Sequence, residues 1–381
     1  MFPRPSNALR SVAASIVATL AISGCSSAGS SMSPLGLKAV SAPDSPLGDA
    51  LSPNISMLKA LKKQVVIGST VDPVNGAQNP YGLTIAPSTT GDFSAGDLVV
   101  CNFNAKSNVQ GTGQSVIALH PVPSSAPTHV SGIKALHGCD ALAIDGADII
   151  WAAVMVANDN PVLDADGKLI DNIKGKPFSQ PWGQVYAQPA SGAPAFYETN
   201  AGNGSIVRIN LTSGFPSDVI ATGFPVNHGK PGTALAPSGL AYDASIDTLY
   251  FADGDNNSVV AFKNVSTIPK HGIKAIDNGM KFSGPAAGDA RIVYSGDPLN
   301  GPISTALLPN GNLVVGNTLD PDGKNLLVEL SSASGKLLGV RNVDKGPAGA
   351  LFGIVATGTN ASDTKIYFND DNDNNVQVLE R

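Results

Sequence analysis

Residues 249–262 read LYFADGDNNSVVAF. Two apolar, β-prone runs flank a cluster of Asp, Gly and Asn. Such a cluster is either a metal site or the place where a strand turns back. Asp and Asn tolerate the left-handed backbone region and bond their own main chain, so physics makes them turn residues first. Upstream lie PSGLAYD (237–243), a short break and then Thr248–Asp253. Downstream lies Ser258–Lys263. The whole reads as strand, turn, strand, Asx turn, strand.

The same pattern recurs. NPYGLTIAP (79–87) leads to DLVVCNFN (97–104), CDALAID (139–145) to DIIWAAVMVAND (148–159), and QPWGQVYAQ (180–188) to AFYETNAGNGSIVRINL (195–211). GPISTALLPNGNLVVGNTLD (301–320) leads to NLLVELS, and LFGIVATG (351–358) to KIYFNDDNDNNVQVLE (365–380). With the opening stretch these make six copies. A turn device repeated in nearly every copy is structural before it is catalytic. The copies are longer than the usual propeller repeat, so insertions are expected at 159–180 and 264–300. Copy two lacks the Pro-x-Gly start. Glutamate is confined to Glu198, Glu329 and Glu380, which disfavours long wet-faced helices and points to an all-β domain.

Pro-x-Gly-Leu-Ala-Tyr-Asp followed by Leu-Tyr-Phe-Ala-Asp-x-x-Asn-Asn-x-Val resembles the NHL repeat. The resemblance implies a six-bladed β-propeller over residues 61–381. Fourth strands are expected at 218–224, 290–296 and 336–343. The last copy has none before the chain stops, whereas KKQVVIGSTV (62–71) is a strand-like run without a partner. It is expected to supply the outer strand of blade six, closing the ring and removing an exposed edge.

Residues 1–24 read as a signal peptide: Arg4 and Arg10, then the uncharged run Ser11–Ser23, too short to span a bilayer. Ile22-Ser23-Gly24-Cys25 resembles the bacterial lipobox, which implies that Cys25 is lipidated and becomes the first residue of the mature chain. Ser26 after it implies an outer-membrane address in the cell envelope. Residues 25–60, rich in Ser, Gly, Pro and Ala, read as a flexible tether, with one short helical turn at 57–63. Loss of Arg4 and Arg10 takes the net charge from −6 to −8. No basic run survives, which argues against nucleic acid. A monomer is expected, with a lipid anchor as its membrane contact.

Cys101 and Cys139 are the two remaining cysteines. In an exported protein they are either a disulfide or two buried thiols. Asp371 and Asp373 mimic the first ligands of a calcium loop, but Val376 stands where an EF-hand needs Gly and the chain ends before its Glu; no cofactor is expected, with calcium left open there. DADG (164–167) and DPDG (320–323) read as tight turns. Tyr81, Trp182 and Phe352 stand at the starts of inner strands and either stack on a ligand at the channel mouth or fill the wedge between blades. His137, Asp140 and His228 belong to loops that reach the same mouth, where a histidine is either a general base or a plain loop residue. Gly-x-Ser-x-Gly, His-Glu-x-x-His and phosphate-loop patterns are absent. The reading that follows is a binding or scaffolding propeller with a protein or glycan partner. The alternative is an enzyme resembling calcium-dependent lactonases or quinone-dependent sugar dehydrogenases.

Overall fold

The computed structural model describes residues 52–381. The expected signal peptide, Cys25 and the tether as far as residue 51 lie outside the described residues. From residue 63 onward the chain forms six small antiparallel sheets, the blades of a β-propeller. Blade one comprises Gln78–Ile85, Leu98–Asn104, Ser115–Leu119 and Thr128–Ser131, from axis to rim. Blade two comprises Cys139–Ile144, Ile150–Val154, Asp159–Leu163 and Leu169–Lys174. Blade three has Pro181–Ala187, Ala195–Asn200, Ser205–Asn210 and Ser217–Thr222. Blade four has Pro237–Asp243, Thr248–Asp253, Ser258–Phe262 and Ala290–Ser295. Blade five has Pro302–Leu307, Leu313–Asn317, Asn325–Leu330 and Leu337–Asp344. Blade six has Leu351–Thr357, Lys365–Asp370, Asn375–Glu380 and, from the other end of the fold, Lys63–Ser69.

That last pairing closes the ring as expected. Lys63 lies opposite Glu380 and Ser69 opposite Asn375, with one irregularity between Val66 and Gly68. The inner strands meet in the order of the blades, and the first also meets the last. The second and third strands are almost wholly buried. They carry the Val, Ile, Phe and Tyr that fill the wedges between blades, the payload a sheet buried on both faces requires.

Two expectations about insertions separate. Residues 159–174 are no insertion; they are the two outer strands of blade two, joined at the Asp164–Gly167 turn. Residues 264–289 are a true insertion between the third and fourth strands of blade four. They form a hairpin, Ile273–Ile276 with Lys281–Ser283, that runs parallel to the rim strand of blade three, Ala221 opposite Ile273. Blade three is thereby a six-stranded sheet.

The last part of the expected tether is also fixed. Met57–Ala60 is a helical turn with Met57 and Leu58 buried, packed with Leu61 against blades five and six. Buried Glu329 of blade five accepts from Ser56 Oγ (2.6 Å), Met57 N (3.0 Å), Leu58 N (2.8 Å) and Asn312 Nδ2 (2.9 Å). The carboxylate satisfies the free amides that open the turn. Replacing Glu329 with Ala strands those donors, at about 1–3 kcal/mol for a buried unsatisfied group. Limited proteolysis should then cut within residues 52–61, which the parent protein protects; an unchanged digestion pattern refutes the docking.

Cys101, on the second strand of blade one, and Cys139, at the start of blade two, are joined as a disulfide with Cα atoms 6.0 Å apart. The cross-link fixes the junction where blade two lacks its Pro-x-Gly start. The pair spans 38 residues, and closing such a loop is worth about 2–4 kcal/mol. The Cys101→Ser/Cys139→Ser double variant should melt several degrees lower, with the parent in reductant and denaturant behaving likewise.

Candidate functional site

The six inner strands crowd the axis. A Cβ on Gly183 would lie 2.4 Å from Ser238 O, one on Gly239 2.7 Å from Ile303 O, and one on Gly353 2.7 Å from Tyr81 O. Glycine is what lets neighbouring blades approach this closely. Each inner strand has a matching residue, one before the close-packed position, at the same end of the channel. In chain order these residues are Tyr81, Asp140, Trp182, Ser238, Ile303 and Phe352. Four of them, Tyr81, Trp182, Ile303 and Phe352, share one apolar cluster with Phe103 and Met155. Tyr81 is sandwiched between Phe352 and Phe103, with centroid distances of 3.5 and 4.2 Å.

The sequence placed Tyr81, Trp182, Phe352 and Asp140 at one mouth, and the structure brings all four together there. It does not leave them open to a ligand. Tyr81 is 4% exposed, Trp182 6%, Phe352 8% and Asp140 3%. The cover is the linker between blades three and four, residues 225–236, whose Ala234 and Ala236 are buried in the same cluster, with Val226 and Leu235 packed on it. Asn227 organises this loop: its Oδ1 accepts from Gly229 N and Leu235 N, both at 2.8 Å, and its Nδ2 donates to Thr233 O at 2.9 Å. His228 stands on the outer surface of the loop in the left-handed region, φ 52°. His137 is half-buried in the approach to blade two.

Beneath the ring the channel holds a cavity of about 70 Å³ lined by the inner strands, including Asp140, Gln184, Ser304 and Thr305. That is room for about two waters. Both carboxyl oxygens of Asp140 lack a hydrogen-bond partner. Burial pushes this carboxyl well above the usual range; the nearby Met155 backbone amide, itself bonded to Gly138 O at 3.0 Å, draws it only partway back. Behind the wall, Gln184 Nε2 donates to Asn160 Oδ1 (2.9 Å) and to Glu198 Oε2 (3.4 Å). Glu198 is fully buried, and burial raises its carboxyl as well, against the stabilising amides of Asn160 and Gln184. The sequence signal for this acid was its rarity; one of three glutamates sits inside an otherwise apolar strand.

The opening cluster resolves into a turn that also clasps the next blade. Asn257 is left-handed, φ 48°, and its Oδ1 accepts from Gly301 N at the start of blade five, 2.8 Å away. Asn158 and Asn374 repeat this, with φ 58° and 50°, accepting from Gln180 N (2.6 Å) and Asn79 N (2.7 Å). At the end of the second strand, Asn102, Asn200 and Asn317 donate to the linker carbonyls of Thr70, Pro177 and Pro298. Asp253 occupies that place in blade four. It is fully buried, both oxygens lack a partner, and burial followed by Asp255 pushes its carboxyl up to about 8.

Of the two calcium candidates, the Asp371 carboxylate engages a protein group and Asp373 is exposed. With the Asn79 amide turned to match its neighbours, its nitrogen donates to Asp371 Oδ1 at 2.6 Å. The Asp373 amide lies 3.4 Å from Asp370 Oδ1. Burial, then Asp344 and Asp373, raise Asp370 to about 7; burial, then Asp370, raise Asp371 to about 7. Among the described residues no three His, Cys, Asp or Glu side chains group as metal ligands.

These raised carboxyls set a pH dependence. The unfolded chain releases such protons near pH 4, whereas the folded chain holds them to about pH 7–8 at Asp253, Asp370 and Asp371. Between those values the folded state binds more protons, so stability falls as pH rises. Melting temperature should drop by several degrees from pH 5 to pH 8.5. Asp253→Asn should shrink the drop; a melting temperature that rises over this range contradicts the assignment.

No protein-family model matches the chain, and no curated protein matches it. Solved structures do. The chain is similar to a gluconolactonase from Xanthomonas campestris at 16% identity and TM-score 0.53, covering 82% of this chain and 88% of that one. It is similar to a putative gluconolactonase at 10% identity and TM-score 0.52, covering 84% and 91%. It is also similar to a chain of a nidogen/laminin complex at 15% identity and TM-score 0.51, covering 74% and 87%. At these identities the likeness shows the six-bladed β-propeller architecture and nothing finer.

Proposed function

We propose that this chain is an NHL-type propeller, lipid-anchored at Cys25 in the bacterial envelope, that binds or scaffolds a protein partner. The observation that carries the reading is the sealed mouth. Beneath the stacked, buried aromatics the channel holds about 70 Å³, and the open cavity between the other ends of the inner strands holds about 250 Å³; drug-sized ligands take roughly 300 Å³ or more. A protein partner is favoured over a glycan because the exposed large apolar residues are aliphatic, among them Val74, Ile170 and Ile246. Sugar recognition of the kind expected from the sequence would use an open aromatic platform, and Tyr81, Trp182 and Phe352 are closed. The Cys101–Cys139 disulfide supports an oxidising compartment.

The gluconolactonase likeness makes the enzymatic alternative concrete. The test is hydrolysis of glucono-δ-lactone by the purified protein with and without added calcium, together with its melting curve. A binding module leaves the lactone at its background rate and the melting temperature unmoved by calcium. Calcium-dependent turnover, or a calcium-induced rise in melting temperature of the kind native-state binding causes, overturns the reading.

A further inference from the structure

The sealed mouth contains one chemical oddity. Asp140 alone among the six ring residues is ionisable as an acid near neutrality, and it is buried with both oxygens unpartnered. A buried carboxyl without a partner is costly. A neutral side chain of the same size would remove that cost, and three blades place an aromatic ring there instead. Tyr81, Trp182 and Phe352 line the same small cavity as Asp140, with the covering loop at Gly232 and Ala234. Tyr81 has both faces stacked, on Phe103 and Phe352, which leaves Trp182 and the far face of Phe352. A carboxylate beside such rings is an arrangement that receives an organic cation, the rings attracting the charge through their quadrupoles and the acid neutralising it.

The cover is built to leave as a unit. Among the described residues, the hydrogen bonds of the loop 225–235 close on the loop itself, from Asn227 to Leu235, Thr233 and Gly229, and from Thr233 to Lys230. It rests on the ring through apolar side chains and through Gly232, where a Cβ would meet Gln110 at 2.8 Å. Lifting residues 225–236 breaks apolar contact, one hydrogen bond, from Gly254 N to Ala236 O (3.0 Å), and the attraction between His228 and Asp255.

We infer that the channel mouth is a binding site for an alkylammonium group, with Asp140 as the counter-charge, Trp182 and Phe352 as the aromatic walls, and residues 225–236 as the cover. This rests on the reading of the propeller as a binding module: with the cover down the mouth is closed to any ligand, and the site exists with residues 225–236 displaced. The group is either a free amine or the lysine side chain of a partner; both present the same cation on an apolar stem.

The test is titration of the full-length purified protein with n-butylammonium chloride, n-butanol as neutral isostere, and sodium chloride as salt control. Tryptophan fluorescence and thermal melting are both followed, because Trp182 lies in the ring. The amine should give a saturable fluorescence change and a higher melting temperature, and butanol neither. Asp140→Asn, close in shape and neutral, should weaken the amine at least tenfold. Trp151→Phe, at the other tryptophan and away from the mouth, should keep both the fluorescence and the thermal response, which assigns the signal to Trp182. End-blocked Gly-Lys-Gly against Gly-norleucine-Gly separates the sources: tighter binding of the lysine peptide than of butylammonium assigns the group to a partner, and the reverse to a small amine. Equal response to butanol, unchanged affinity in Asp140→Asn, or no saturable response in the parent overturns the site. Lactone turnover in the enzymatic assay would instead remove the module reading, so the two failures are told apart.

Discussion

Six strands brought to one axis leave almost no room for side chains, and that crowding governs the rest of this molecule. Gly82, Gly183, Gly239 and Gly353 stand where a Cβ would strike the neighbouring blade, and Ala141 takes the place in blade two. Because these positions are backbone-thin, the blades meet along their inner edges. The residue just before each stands at the same end of the channel. A propeller with bulkier residues at the glycine positions would have a wider channel and an open mouth. Here the small residues produce a narrow channel, and the aromatics before them stack into a plug.

Closure is the second consequence. A ring of wedges is stable when every interface is made, including the one between the ends of the chain. The Lys63–Ser69 strand on blade six supplies it, and polar devices reinforce the junctions unevenly. Left-handed asparagines at 158, 257 and 374 clasp the starts of blades three, five and one. Asn102, Asn200 and Asn317 hold the same three junctions from the other side. Between blades one and two the tie is covalent. The junction of blades three and four has Asp253 where three others have an amide, and it is there that the covering loop 225–236 leaves the ring.

Much of this was legible in the residues. The alternation of apolar runs with Asn- and Gly-rich turns fixes strand count, and an unpartnered run at 62–71 foretells the closing strand. Blade two was hard to delimit because Cys139-Asp140-Ala141 replaces Pro-x-Gly, and because Pro161 and the Asp164–Gly167 turn make its outer strands look like a loop. The hairpin at 273–283 lies inside an expected insertion, but nothing local says that it joins the rim of blade three in parallel. The aromatics at the mouth could be grouped from their place in the repeat. Their burial could not, since the cover is a linker distant in sequence from five of the six ring residues. Glu198 was passed over because acids are sought at strand starts, and this one sits mid-strand behind the channel wall.

The contrast between Asp253 and Asp140 shows how one kind of buried acid can differ in meaning. Asp253 occupies a place where three other blades use asparagine to donate to a linker carbonyl, so its carboxyl lacks the hydrogen that the position uses. Its defect is explained by the repeat, and an amide would mend it. Asp140 stands where other blades put Tyr, Trp, Ile or Phe, and where blade four puts Ser238, whose hydroxyl donates to Ala252 O. The repeat does not explain a charge-capable group at that level of the axis, and apolar packing opposes it. A polar atom that structure alone would discard is most economically understood through something that binds it, and a lining shared with Tyr81, Trp182 and Phe352 favours a cation with an apolar stem.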